Sequence, residues 1–226
     1  PAAGRILVAD AATGRFERRL GNYRGQAAEP AWSDPDHVMF VAGKGVWTEW
    51  ANLDVTDGSV EVAPIPSRGP IMGSFSLAAR AGVAAFTADS PTHPPELFTV
   101  TRENTELVRR TDSNPWLADV RLGEQEVVRF QARDGLQLEG LLIRPVGEQA
   151  GRRYPLILYV HGGPEAHHSN GWLTRYSNPG QVAAGRGMAV FHTSYRGSTG
   201  RGVEFSKSSQ ADPAGKEFDD LVDSVD

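Results

Sequence analysis

The chain contains no cysteine. That excludes disulfide staples, thiol nucleophiles, thiolate metal sites and iron–sulfur clusters. It also lacks any apolar run approaching the roughly 18 residues that a bilayer-spanning helix needs. No basic stretch leads into an apolar segment near the start, so no signal peptide is visible. Basic charge is not in excess either: 23 Lys and Arg against 28 Asp and Glu leave a net charge of -5. With the cations scattered, the electrostatic footprint of a nucleic-acid binder is missing. Neither nucleic acid nor membrane is expected as a partner, and a cytoplasmic location is preferred to a secreted one. The first residue is Pro1, not Met, so an upstream segment is expected to precede it.

Within 226 residues, 39% hydrophobic and 23% charged, there is enough apolar material for one large or two small domains. Two halves with different patterning emerge. From Gly4 to about Pro115 the apolar residues come in short runs cut by turn residues. Ile6-Leu7-Val8 runs into Asp10 and Thr13-Gly14; Val38 to Val41 ends at Gly43-Lys44-Gly45; Val83 to Phe86 ends near Asp89-Ser90-Pro91. Such runs predict antiparallel strands. They also echo. Trp32-Ser33 before Val38 resembles Phe75-Ser76 before Val83, and Val8-Ala9-Asp10 with Thr13-Gly14 resembles Asn52-Leu53-Asp54 with Asp57-Gly58. A spacing of about 40–50 residues with four short strands per unit marks propeller blades. Residues 1–115 are therefore expected to form about two and a half blades, an incomplete propeller. An ordinary β-sandwich fragment is the alternative. Trp32, Trp47 and Trp50 are expected to pack between blades.

Residues 116–226 are expected to form an α/β domain, also incomplete. Glu126–Arg133 and Leu136–Ile143 flank Asp134-Gly135, a strong hairpin signal. Pro155–Val160 and Met188–Phe191 are almost continuously apolar, which predicts strands covered on both faces of an α/β sheet. Between them Gly180–Arg186 is a candidate crossover helix with Val182-Ala183-Ala184 facing the sheet. Lys216–Val225 carries Phe218, Leu221, Val222 and Val225 on one stripe, an amphipathic helix.

The chemistry concentrates at His161-Gly162-Gly163-Pro164, directly after a buried strand. Paired glycines let the backbone turn sharply and expose N–H groups. Such groups can donate to negative charge developing on a carbonyl oxygen, the task of an oxyanion hole. A related His-Gly-Gly-Gly motif does this in α/β-hydrolases. Pro164 cannot donate, so Gly162 and Gly163 are the candidate donors, with His161 and Pro164 orienting or structural. The bland alternative is a glycine turn after a core strand.

In this order Pro95-Glu96-Leu97-Phe98, Asn114, Asp134-Gly135, Pro145, Tyr154-Pro155, His161-Gly162-Gly163-Pro164, Gly185-Arg186-Gly187, Tyr195-Arg196-Gly197-Ser198 with Gly200 and Gly202, and Asp219-Asp220 resemble the prolyl oligopeptidase superfamily of serine peptidases (peptidase family S9). The resemblance covers essentially the whole chain and is strongest to the acylaminoacyl-peptidase-like branch. It implies a β-propeller that restricts access to a C-terminal α/β-hydrolase domain, of which residues 116–226 would be the first part, and cleavage of short or N-acylated peptides through a Ser-Asp-His triad. Branches that cleave after proline place a tyrosine where His161 stands, which argues against strict proline specificity of that kind. The serine elbow Gly-x-Ser-x-Gly does not occur: Gly197-Ser198-Thr199-Gly200 has the wrong spacing and Ser194 lacks flanking glycines. The triad is therefore expected beyond Asp226, in the remainder of the same polypeptide, and none of the six histidines is its base.

Other candidates were weighed. His161, His167, His168 and His192 do not assemble into a recognisable zinc pattern, and His167-His168 are expected in a solvated polar loop. Arg196 could clamp a substrate carboxylate, although a salt bridge to Asp219 or Asp220 is preferred. Trp172 is a candidate for lining a substrate pocket. Gly197–Gly202 lacks the lysine and spacing of a phosphate loop. No metal or cofactor is expected. The function read from the sequence is thus part of a serine peptidase, a possible homo-oligomer. A noncatalytic propeller-based binding module and a carboxylesterase are the alternatives.

Overall fold

The computed structural model describes residues 4–66, 68–163 and 165–226. Fourteen strands and three α-helices follow in order. The first ten strands are β1 (Leu7–Ala9), β2 (Phe16–Arg18), β3 (Gln26–Trp32), β4 (His37–Lys44), β5 (Trp47–Asp54), β6 (Val60–Val62), β7 (Ile71–Ala78), β8 (Val83–Ser90), β9 (His93–Thr101) and β10 (Val108–Arg109). The remaining elements are β11 (Gln125–Gln131), β12 (Gln137–Ile143), β13 (Leu156–Val160), α1 (Gly180–Ala184), β14 (Ala189–Ser194), α2 (Val203–Ser206) and α3 (Lys216–Asp223).

Strands β3-β4-β5-β6 and β7-β8-β9-β10 form two four-stranded antiparallel meanders, and β1-β2 forms a pair. The structural repeat differs slightly from the echo in the sequence. His37 and Val83, which open β4 and β8, are 46 residues apart, as are Trp47 and His93, which open β5 and β9. Trp32 pairs with Val38, whereas Phe75 lies inside β7 opposite Phe86, so these two aromatics are not equivalent positions. The β1-β2 and β5-β6 echo holds in outline. Asp10 accepts from the N–H and hydroxyl of Thr13 as Asp54 accepts from those of Thr56, and each closes its turn before a positive-φ glycine. Among the described residues no closed propeller is found.

Alternation along β4 explains how the sheets stack. Val38, Phe40 and Ala42 point to the β1-β2 side, where they bury Ile6, Leu20, Ala27, Ala51 and Leu53. Val41 points the other way, into a second core with Ile65, Met72, Ala84, Phe86 and Val100. Side chains on a strand alternate between faces, so one strand serves both cores. Trp50 bridges the two meanders edge-on to Phe86 at 5.1 Å between centroids, as expected for an inter-sheet aromatic. Trp32 does not; it is largely exposed.

The fourth sheet has the order β11-β12-β14-β13. The β11-β12 hairpin turns through Arg133-Asp134-Gly135, with Gly135 at φ +90°; Ala132 N–H donates to Leu136 O at 2.9 Å. The loop therefore has three residues, one more than the Asp-Gly pair alone, with glycine at the left-handed position such loops need. Strands β13 and β14 run parallel, joined through α1. β14 is buried almost throughout, but β13 is an edge strand among the described residues, with Leu156 and Val160 exposed.

Both helix-face expectations need correction. Ala183 and Ala184 pack on the sheet with Ile143 and Val190, but Val182 points to solvent. In α3 Phe218 and Val222 are exposed, as is Val225 beyond its end, and the residue that packs inward is Asp220, fully buried. An ion-pair node pulls that face in. Arg196 donates through Nε and Nη2 to Asp220 at 2.9 and 2.6 Å, and through Nη1 and Nη2 to Asp134 at 2.8 and 3.0 Å. Beside it Arg133 ties the hairpin turn to Asp223 and Asp219. Helix α3 is thus held by carboxylates clasped to the β11-β12 turn.

Candidate active site

β13 and β14 are parallel neighbours, so their C-terminal ends deliver two loops to one edge of the sheet: His161-Gly162-Gly163 and Tyr195–Gly200. This is where an open α/β sheet places its ligands. Gly162 and Gly163 are exposed. No hydrogen bond from either N–H is found among the described residues. A Cβ on Gly162 would meet nothing within 4 Å, whereas one on Gly163 would come within 2.4 Å of the Glu165 nitrogen. Gly163 is thus required by a close backbone approach and Gly162 is not. Pro164, expected to be orienting or structural, lies outside the described residues.

His161 is held on every side. Its ring stacks on Tyr195 with centroids 4.6 Å apart and planes 17° from parallel. The Tyr195 hydroxyl donates to the His161 carbonyl at 2.8 Å. A carbonyl and the following N–H share one rigid peptide plane, so this bond also fixes the direction of the Gly162 N–H. At the ring, Nδ1 lies 3.3 Å from the Gly162 carbonyl and Nε2 lies 2.8 Å from Ser198 Oγ. A carbonyl can only accept, so Nδ1 carries the proton and Nε2 accepts from Ser198. Burial lowers the His161 pKa, which favours this neutral form. Ser198 is fully buried, so its hydroxyl serves this bond.

His167 and His168, expected in a solvated polar loop, are packed against protein groups instead. His168 is 8% exposed and His192 0%. The rings of His161, His168 and His192 follow one another at 5.3 and 4.9 Å, with Tyr159 5.0 Å from His192. His167 bonds Thr199 Oγ1 at 2.8 Å and Ser169 Oγ at 3.2 Å. Burial, the leading cause in each case, depresses His167 and His192 to about 4 and His168 to about 3. Polar loop residues hide this packing in the sequence; the alternation of His192 within β14 is the one local sign of it. Among the described residues no three His, Asp or Glu side chains are grouped to hold a metal ion.

These groups open onto a cleft of 410 Å³ lined by Tyr159, His161, Gly162, His168 and Trp172 on one side and by Ile71 and Asp89 of the second meander on the other. Trp172 therefore lies where a pocket-lining residue should. Its backbone N–H donates to Asp89 Oδ1 at 2.8 Å, a contact spanning 83 residues. Burial raises the Asp89 pKa, partly offset by that N–H and by Arg175. Arg196, by contrast, is 5% exposed and its guanidinium is occupied by the two aspartates. The pairing with Asp220 matches the preferred expectation; Asp219 pairs with Arg133 instead. Tyr195, Ser198 and Asp89 were not identified as site residues from the sequence. The parallel partner of the His-Gly-Gly strand was the available signal for the first two.

Blade-like meanders stand against a mixed sheet that carries a glycine loop, and the structural neighbours of this fold come from propeller-plus-hydrolase enzymes. The solved structures agree at the level of fold. Acylaminoacyl peptidase from Pyrococcus horikoshii superposes with a TM-score of 0.77 at 21% identity, covering 98% of this chain and 33% of that one. A puromycin hydrolase gives 0.71 at 19% identity, covering 97% and 34%. The model of the prolyl oligopeptidase family matches residues 174–226. In sequence the chain is 27% identical over 222 residues to the uncharacterized peptidase YuxL of Bacillus subtilis, covering 97% of this chain and 31% of that protein. It is 36% identical over 125 residues to dipeptidyl aminopeptidase BIII of Pseudoxanthomonas mexicana, covering 53% and 18%. The chain is thus similar to peptidases of the prolyl oligopeptidase family, and it spans about a third of the length of YuxL and of the acylaminoacyl peptidase.

Proposed function

We propose that this chain is the oxyanion-binding part of a serine peptidase that hydrolyses short or N-acylated peptides by acyl transfer. The carrying observation is the His161-Gly162-Gly163 loop: exposed N–H groups at the end of β13, orientation locked by Tyr195 and Ser198, opening onto the cleft under the second meander. When a serine hydroxyl attacks a peptide carbonyl, the oxygen gains negative charge. The Gly162 and Gly163 N–H groups would donate to it, and preorganised donors of this kind stabilise the transition state without reorganising at the moment of reaction. His161 acts through the backbone; as a neutral imidazole it anchors the loop. The serine, acid and base are supplied by residues outside 1–226, since no serine here sits in a nucleophile elbow. The overhanging meander supports a preference for short chains, because it narrows access to the cleft. The split into a blade domain, 1–115, and a hydrolase domain, 116–226, is part of this reading.

The full-length parent tests it. A fluorophosphonate should label one serine outside residues 1–226; labelling within them would overturn the assignment. Gly163→Ala should lower kcat by about 10²-fold, the scale of losing one oxyanion donor. Full kcat in Gly163→Ala would count against the loop as the source of the oxyanion donors.

A further inference from the structure

The first meander reaches the back of this site. The β4-β5 hairpin closes through Gly45-Val46, with Lys44 paired to Trp47 and Gly45 at φ +59°. Its tip contacts both loops that support the oxyanion segment. Gly45 N–H donates to the Gly200 carbonyl at 2.8 Å, and the Val46 carbonyl accepts from Asn170 N–H at 2.7 Å. At Gly43 the His167 ring lies directly on the backbone: a Cβ there would be 2.8 Å from both Cε1 and Nε2 of that ring. A Cβ on Gly200 would in turn be 3.1 Å from the Gly45 oxygen. The ring so positioned bonds Thr199 Oγ1 at 2.8 Å, while Thr199 N–H donates to Ala166 O at 2.9 Å. The next residue back, Ser198, holds His161. Ser198 and Thr199 are 0% and 2% exposed, so neither can move into solvent.

We propose that Gly43–Val46 is a positioning element for catalysis: a blade hairpin that sets the oxyanion loop through His167, Thr199 and Ser198. It rests on the reading that Gly162 and Gly163 are the oxyanion donors. Backbone bonds at 45 and 46 fix the hairpin against the two loops, and the bare Cα of Gly43 leaves the exact space that the His167 ring fills. No group of the hairpin touches substrate in this scheme; it acts at one remove.

The test is a double-mutant cycle in the full-length protein, with alanyl and N-acetylalanyl p-nitroanilides and the rate of fluorophosphonate labelling as probes. Gly43→Ala pushes on the ring and should lower kcat and the labelling rate together by about tenfold, with KM within about twofold, a coupling of ordinary size for contacting residues. His167→Ala should give the same loss. In the His167→Ala background Gly43→Ala should add nothing, because the ring it collides with is gone. A merely structural role predicts lower thermal stability without that kcat–KM split. The proposal is overturned if Gly43→Ala keeps full kcat, or if its effect persists undiminished without His167. Should Gly43→Ala fold poorly, Thr199→Val carries the same expectation with the hairpin intact, and unchanged kcat there overturns it too. Gly163→Ala in the same series separates the two ideas: if it leaves kcat unchanged, the oxyanion reading itself fails.

Discussion

Acid should unfold this protein from the histidine cluster outward, well above the pH at which its carboxylates titrate. His167, His168 and His192 are held neutral by burial, at about 4, 3 and 4, against about 6.5 in an unfolded chain. As pH falls below 6.5 the unfolded chain binds these protons first, so stability is complete above that value and drains until the folded state also protonates near 4. One pH unit is worth 1.36 kcal/mol per group, so going from pH 7 to pH 5 removes about 2 kcal/mol for each imidazole. Salt-bridged carboxylates such as Asp134, held at about 2 by Arg196, lose their contribution only below about pH 4. The pH 5–7 window therefore reports chiefly the histidines, with Asp89, raised by burial, acting in the opposite direction. His37 acts oppositely, since the Asp34 hydrogen bond raises its pKa, but it lies at the surface where such pairs contribute little. Urea midpoints at pH 7, 6 and 5 measure the slope. A control sharpens the point: neither ring nitrogen of His192 has a partner among the described residues. His192→Leu should leave stability at pH 7 equal or higher, because it removes an unsatisfied buried polar group, and should flatten the slope by about 2 kcal/mol over the window. Constant stability from pH 7 to 5, or a His192→Leu variant with the full wild-type slope, would refute the reasoning.

Other outcomes follow from single contacts. Tyr195→Phe removes the hydroxyl that orients the His161–Gly162 peptide and keeps the stacked ring; kcat in the parent enzyme should fall by about tenfold with KM nearly unchanged, a cost near 1.4 kcal/mol. Arg196→Met leaves Asp220 buried without its partner and should cost about 3–5 kcal/mol in chemical denaturation. Asp134→Asn, at the partly exposed end of the same node, should cost clearly less, because solvent screens that pair. Equal losses from the last two would mean that burial does not set the worth of each half of the node.

The sequence by itself determined the local pieces. Turn residues and apolar alternation placed the short strands of the first half, and their echo anticipated two stacked meanders to within a few residues. Asp134-Gly135 announced the β11-β12 hairpin, the runs at 155–160 and 188–191 announced a parallel pair, and the glycines after the first run announced exposed N–H groups. All of these are signals carried within a few neighbouring residues. What the tertiary structure alone decided is which surfaces face inward. Helix α3 buries Asp220 instead of its apolar stripe because an arginine 24 positions earlier meets it, and Val182 points out while its neighbours pack. His167 and His168 look like solvated loop residues, yet a glycine hairpin from a distant meander leaves room for one ring and β14 encloses the other. Asp89 meets Trp172 across 83 residues. Periodicity measures a pattern along one element, but burial depends on what other elements bring to it. The loop at His161 was therefore legible as chemistry, while the residues that aim it became visible only when parallel strands put two loops side by side.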